Sequence, residues 1–445
     1  MDLDRIFKAY DIRGRTDNGE LDEDVARRVG AAFAQFAGAD TIAVGHDCRL
    51  SSPSLRDAFV EGVTSQGIDL LSLGEVATDV VYFVAGSRKV PGAMITASHN
   101  PPEYNGIKLC REGAVPVGAE TGLADIRRLA EEELAPVDEP GRVEGFDPTP
   151  GYVDHLYSLV EPSGIRPLRV AADGGNGMAG AVLPQVFERI SAELIPLYLE
   201  PDGNFPNHPP DPLRPENLVD LQAVIVDQSA DLGVAFDGDA DRAFFIDDTG
   251  SPLSGSATTA LIARWFLERE PGAKIIHNLI TSRAVGETVR AHGGEPIRTR
   301  VGHSYIKQVM AETGAAFGGE HSGHYYFRDN FRADSGILAM LVLLTVISDA
   351  GRPLSDLRSD VEPYSQSGEI NLRVADQAAA MEAVAAGFPG AELERLDGLT
   401  VNWADRWFNI RPSNTEPVLR LNVEATTPGD VAELVSQVEH LVGSG

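Results

Sequence analysis

The sequence predicts an α/β protein: three related mixed-sheet α/β domains and a C-terminal α+β domain around a central cleft. Three observations carry this. Short apolar runs alternate with stretches of helical period along most of the chain. A unit of strand, loop, helix, strand, crossover, strand, polar loop and strand recurs three times, irregular in spacing and low in identity. Beyond residues 361–368 the order changes to strand, Ala-rich helix, strands and a final helix.

Composition sets the frame. The chain has 445 residues, 43% hydrophobic and 23% charged, which suits a soluble protein of several domains. A net charge of -30 argues against nucleic acid or an anionic membrane as partner. The apolar run at 336–347 is too short to span a bilayer and reads as a core helix. No signal peptide is evident, and two cysteines, Cys48 and Cys110, make no disulfide framework. The expected location is the cytoplasm. Lysine is confined to Lys8, Lys89, Lys108, Lys274 and Lys307 among many arginines, so Lys108 and Lys307 are candidates for places that need a compact ammonium.

Taken in order, residues 5–15 are a polar and aromatic lead-in, followed by an amphipathic helix near 22–36. The first unit has strands at 41–44, 68–73, 92–95 and 106–109, helices at 54–66 and 121–133, and Ser98 in the loop after its third strand. The second has strands at 168–171, 194–197, 232–236 and 243–246, with Asp237, Asp239, Asp241 and Arg242 after the third. The third has strands at 274–276, 296–299, 315–317 and 325–327, a helix from Ser282, and Glu320 to His324 after the third strand. The most unusual polar loop follows the third strand each time, so three copies of one fold would face a shared cleft. Residues 136–150, 247–254 and 361–368 read as linkers. The last part has strands at 369–374, 393–396, 401–410 and 418–424 and helices at 375–386 and 430–442. Domains are therefore expected at 1–148, 149–248, 249–362 and 363–445.

Each loop suggests chemistry. If the strand pattern persists, the alternating Asp237, Asp239 and Asp241 point one way, and three hard oxygen ligands suit Mg²⁺ or Ca²⁺. The motif also opens an EF-hand loop with Asp248 at its twelfth position, but Arg242 stands where that loop needs glycine. A solvated acidic turn is the plain alternative, disfavoured because the charges repel without a cation. Ser98 pairs poorly with His99 as base, since neighbouring side chains rarely face each other. Beside a three-carboxylate site, a phosphorylated serine fits better. Arg411, Ser413, Asn414 and Thr415 join two strands and could cradle phosphate, or form an ordinary turn. Glu320 and Ser322 suit sugar hydroxyls. A metal pair of His321 and His324 lacks a third ligand nearby. Gly302 and His303 lie in a further polar loop, where a lone histidine is more often structural. Tyr10 and Arg13 alone are an unremarkable surface pair.

Together these motifs resemble the α-D-phosphohexomutase family, most closely its bacterial phosphomannomutase/phosphoglucomutase branch. The resemblance covers nearly the whole chain and rests on residues 96–101, 237–242, 319–324 and 411–417 in that order. It implies that Ser98 is phosphorylated and holds one Mg²⁺ with Asp237, Asp239 and Asp241. It implies that Glu320 and Ser322, with His324 and Gly302 beside them, bind the sugar. It implies that Arg411, Ser413, Asn414 and Thr415 grip the non-reacting phosphate. Lys108 and His303 become candidates for proton transfer, with Arg13 and His99 in the reacting group and Tyr10 and Arg242 lining the cleft. The implied substrate is a phosphorylated hexose, with hexose 1,6-bisphosphate as activator. The implied reaction interconverts mannose 6-phosphate and mannose 1-phosphate, or the glucose or glucosamine pair. One departure is Ile280, where many members carry lysine; Lys307 is the candidate to replace it.

Overall fold

The structure, a computed structural model, describes residues 3–413 and 418–443. Three sheets share one strand order. In the first, Tyr104–Arg111, Gly92–Ile95, Thr41–His46 and Asp69–Glu75 lie side by side. The second places Ala243–Asp247, Leu232–Phe236, Arg169–Asp173 and Glu193–Leu197 in the same sequence. The third repeats it with Tyr325–Phe327, Phe317–Gly319, Lys274–Asn278 and Glu295–Thr299. In all three the first-named strand, the fourth along the chain, runs antiparallel to its neighbour, and the other pairs are parallel. Parallel neighbours need a crossover, and helices supply it. The second crossovers are the helices Thr78–Ser87, Val219–Gln228 and His303–Thr313. The loop between third and fourth strands therefore occupies one structural position three times, and the three polar loops stand there.

The first sheet is extended at its edges by Ile12–Arg15 and Val143–Gly145. Val143–Gly145 lies within the stretch read as a linker. Its pairing with Asp69–Glu75, anchored by Leu70 N–H to Arg142 O at 2.8 Å, makes that stretch part of the sheet. The C-terminal sheet is antiparallel throughout, in the order Ser365–Arg373, Val418–Ala425, Arg406–Pro412, Leu399–Asn402, Glu392–Glu394. Residues 401–410 are thus not one strand. They contain a hairpin turn at Trp403 to Asp405, where Trp403 N–H meets Arg406 O. The first strand of this sheet begins at Ser365, inside the stretch read as the last linker. In the third sheet the strand expected at 315–317 lies at Phe317–Gly319. Glycine suits that strand because a Cβ on Gly319 would stand 2.2 Å from Thr259 Oγ1.

One apolar core runs through the first three sheets, from Ala43 to Val361, and includes Met94, Val170, Phe236 and Phe317. The helix Gly336–Ala350 is buried along nearly all its length at the centre of it. The C-terminal domain has its own closed core around Val384, Phe408, Leu421 and Val438. Polar contacts join it to the third sheet's region: Arg283 Nη1 to Ala404 O at 2.7 Å, Val301 N–H to Asp397 at 3.3 Å, and Arg298 with Glu394. Among the described residues no helix is long and apolar enough to cross a membrane.

Candidate active site

Ser98 sits just past the strand Gly92–Ile95 with φ of +52° and is 5% exposed. Its Oγ donates to Asp237 Oδ2 at 2.6 Å, across the boundary between the first and second sheets. The same Oγ lies 3.1 Å from His99 Nδ1, so the adjacent side chains do meet. The left-handed backbone at Ser98 turns them together, although adjacent side chains ordinarily point apart. Burial pushes His99 well below its ordinary value, with the nearby Arg242 and Arg13 charges adding to the effect.

The aspartate loop is a turn, not a continued strand: Ala240 takes φ of +63°, and Arg242 N–H closes onto Asp237 Oδ1 at 3.1 Å. The turn, rather than strand alternation, brings one oxygen from each of Asp237, Asp239 and Asp241 within 4.8 Å of the others. All three side chains are buried. Arg242 Nε binds Asp237 Oδ2 at 3.0 Å, and Lys108 Nζ bridges Asp239 and Asp241 at 2.6 Å each. Thr78, at the start of its helix, donates to Asp239 Oδ2 at 2.5 Å and from its backbone to Asp239 O at 3.0 Å. Burial, with Arg242 opposing it and the other two carboxylates reinforcing it, pushes Asp237 up to about 7. Burial works against charge on Asp239 too, but Lys108 and the hydrogen bonds from Lys108 and Thr78 outweigh it and hold Asp239 below the usual range.

These residues fit a hard divalent cation. The donor set is all oxygen, and the buried Asp239 Oδ1 and Asp241 Oδ1 accept no hydrogen bond among the described residues. A buried carboxylate oxygen without a donor is costly, and a cation would meet it. Asp241, His324 and Asp334 form a second such group. Its carboxylates already face cations: Lys307 Nζ lies 2.8 Å from Asp334 and Lys108 holds Asp241, while His324 Nδ1 meets Asp334 Oδ2 at 2.8 Å.

A cleft of about 1010 Å³ opens onto this centre. Ser98, His99, Arg13, Lys108, Asp241, Arg242 and His324 line it, and Tyr10 stands at its wall. Arg13 is no loose surface group: it binds Asn100 Oδ1 and Asp11 Oδ2 at 2.5 Å each. Tyr10 Oη donates to Val301 O at 3.4 Å, and its ionisation feels Glu320 and Arg411 after the larger effect of burial. Glu320, Ser322, Gly302, Arg411 and Ser413 are not part of that lining, though Tyr10 in its wall stands beside Gly302. Glu320 is held by three donors: Asn278 Nδ2 at 3.0 Å, Gly302 N–H at 3.2 Å and Tyr326 Oη at 2.7 Å. Ser322 is half-buried in the turn that Glu320 N–H and His324 O close at 2.9 Å. A backbone bridge between Arg242 and His324 ties the aspartate loop to the Glu320 loop. His303 is the first residue of the helix His303–Thr313. Arg411 is the last residue but one of the strand Arg406–Pro412, with Nη2 on Glu369 at 3.2 Å, and Ser413 N–H bonds Val418 O at 2.9 Å. Asn414 and Thr415 lie outside the described residues.

Lys307 and Ile280 lie in different surroundings. Ile280 faces His321, Trp407 and Glu424, whereas Lys307 is buried against Asp334 with its Nζ 4.2 Å from the Tyr82 ring. Sequence reasoning missed Thr78, Asp334 and Tyr326. The Thr-Asp pair that opens the helix at Thr78 was the available signal for the first. The other two act through partners that only the fold brings near.

All four segments of a known family match the chain: "Phosphoglucomutase/phosphomannomutase, alpha/beta/alpha domain I" at 4–136, domain II at 150–250, domain III at 254–364 and the C-terminal domain at 369–441. The chain is 41% identical over 448 residues to a phosphomannomutase of Escherichia coli K12, with 98% of each chain covered. It is 41% identical over 441 residues to a Xanthomonas campestris protein named "Phosphohexose mutases", again covering 98% of each. The crystal structure of a phosphoglucomutase/phosphomannomutase family protein from Burkholderia thailandensis superposes with a TM-score of 0.91 at 34% identity, covering 100% of this chain and 98% of that one.

Proposed function

The chain belongs to the phosphoglucomutase/phosphomannomutase family, and on that premise we propose that it interconverts mannose 6-phosphate and mannose 1-phosphate. The observation that carries this reading is Ser98 Oγ set 2.6 Å from the first of three buried, convergent aspartates. A serine so placed can carry phosphate. Asp237, Asp239 and Asp241, with the Ser98 phosphate, would hold Mg²⁺, which supplies charge neutralisation to the transferring group.

In the first half-reaction the bond between Ser98 Oγ and phosphorus breaks as phosphorus bonds to the free sugar hydroxyl. The hydroxyl proton passes to a base in the cleft, and Ser98 Oγ takes one back. The resulting mannose 1,6-bisphosphate turns end for end and returns its other phosphate to Ser98. Lys108 and His303 are the proposed proton carriers, and Arg13, His99 and Arg242 neutralise phosphoryl charge. Glu320, Ser322, His324 and Gly302 receive the sugar. Arg411, Ser413, Asn414 and Thr415 hold the phosphate that is not reacting. Each of the domains, which we set at 1–148, 149–248, 249–362 and 363–445, thus supplies one loop. Two cysteines without a disulfide support a cytoplasmic setting.

A relative at 41% identity named for phosphohexose mutases favours a second reading, in which glucose phosphates are turned over as well. Mutase assays with mannose, glucose and glucosamine 1-phosphates, Mg²⁺ and a trace of bisphosphate rank the substrates. Turnover should be fastest with the mannose phosphate, and Ser98→Ala should abolish it. Full activity in Ser98→Ala, or release of inorganic phosphate in place of isomer, would sink the scheme.

A further inference from the structure

The strand Thr41–His46 ends in Asp47, Cys48 and Arg49, a polar loop to which the mutase reading attaches no role. Arg49 is 0% exposed, and every guanidinium N–H direction is used. Nε donates to Asp47 Oδ2 at 3.1 Å. Nη1 donates to Pro101 O at 2.8 Å and Tyr104 O at 3.1 Å. Nη2 donates to Ser98 O at 2.7 Å and Asn100 O at 2.6 Å. All four carbonyls belong to the loop that carries Ser98 or its exit, so one rigid fork spans the loop. The guanidinium also lies 5.1 Å from the centre of the Phe205 ring.

Asp47 completes the frame. Its Oδ1 accepts from Arg49 N–H at 3.0 Å and Ser52 Oγ at 2.5 Å, and its Oδ2 accepts from Thr96 Oγ1 at 2.7 Å. Thr96 Oγ1 in turn accepts from Ser98 N–H at 3.0 Å. Ser98 is therefore gripped at both backbone polar groups, by Thr96 on its amide and by Arg49 on its carbonyl. A serine keeps φ of +52° only where its surroundings impose it. The same carbonyl abuts the aspartate loop, since a Cβ on Gly238 would stand 2.3 Å from Ser98 O.

We propose that Arg49, acting with Asp47 and Thr96, is a positioning residue of the phosphoryl-transfer step, holding Ser98 in the left-handed conformation that aims its Oγ at Asp237. The proposal rests on the reading of Ser98 as phosphate carrier. Charge opposite Asp47 is not sufficient for the role. A lysine there would keep the charge, but its three donors on a single nitrogen cannot span four carbonyls.

The test uses the full chain and ³²P-labelled mannose 1,6-bisphosphate, and follows single-turnover labelling of Ser98 beside kcat, KM and calorimetric Mg²⁺ binding. Arg49→Lys should slow labelling about 10²-fold, with KM for the hexose phosphate and Mg²⁺ affinity unchanged. Thr96→Val, which leaves the Arg49 contacts and cuts the link to the Ser98 amide, should slow it less, and it carries the test if Arg49→Lys does not fold. Leu343→Ala, in the central buried helix, is the control for stability alone: it should lower the melting temperature and leave the single-turnover rate of folded protein intact. Labelling of both Arg49→Lys and Thr96→Val at the wild-type rate would overturn the proposal. No labelling of the wild-type Ser98 would instead refute the phosphate-carrier reading on which it stands.

Discussion

Two aspartates in one loop titrate in opposite directions. Asp237 is pushed up to about 7, chiefly by burial, while Asp239 is held low because Lys108 and Thr78 outweigh the same burial. A cation requires both carboxylates ionised, so protons compete for the site through Asp237. Below that value Asp237 gains a proton and the site loses a charge. Mg²⁺ binding to the unphosphorylated protein should therefore be about tenfold weaker at pH 6 than at pH 8. Calorimetric titration at the two pH values checks this, and equal affinities would show that Asp237 is already ionised at pH 6. Ser98, the three aspartates, Glu320 and Arg411 were legible in the sequence because each stands in a short motif. Arg49, Thr78 and Asp334 were not. They work on residues 49, 161 and 10 positions away, respectively, and two of those distances mean nothing until the chain is folded.

The helices Glu23–Ala37 and Ser52–Ser65 show what an element needs in order to pack here. A Cβ on Gly30 would stand 2.2 Å from Phe59 O, and one on Gly62 would stand 2.0 Å from Arg27 O. The two glycines let the backbones touch, so Gly62→Ala must push the helices apart. The cost should be about 3 kcal/mol, read as a lower urea midpoint, and an unshifted midpoint would mean that the pair separates freely. The start of the first helix was readable, since Asp22 caps it by accepting from Val25 N–H at 2.9 Å. The helix Thr78–Ser87 was not, because its run Val80-Val81-Tyr82-Phe83-Val84 is rich in β-branched and aromatic residues that read as strand or as featureless connection. Tertiary packing wins there: the run is buried against the shared core. The hairpin within 399–412 was hidden because its turn is only Trp403 to Asp405 and carries no glycine or proline.

Across the whole molecule, the threefold order was legible because each unit repeats the same sequence of periods. The single core behind the three sheets was not, because nothing in a period says which faces meet. Asp79 marks that meeting point. Its Oδ2 accepts from Tyr152 Oη at 2.5 Å and Ser335 Oγ at 2.8 Å, which joins the helix Thr78–Ser87 to the helix Thr149–Leu159 and to the N-cap of Gly336–Ala350. Burial pushes this carboxyl up to about 7. Between the ordinary carboxylate value of about 4 and that value, the folded protein keeps a proton that the unfolded chain gives up, so this group's contribution to stability falls as pH rises through the window. Asp79→Asn removes the dependence. Its melting temperature should gain on the wild type from pH 5 to pH 8, and a difference independent of pH would refute the assignment. The fourth domain stands apart from all this, closed around its own apolar core and joined to the rest by polar contacts such as Val301 to Asp397. On the proposed mechanism the divided cores have an evolutionary meaning. Substitutions that tune how firmly the outer phosphate is held, and so how long the bisphosphate stays, can accumulate in one module while the geometry of the reacting centre is conserved in another.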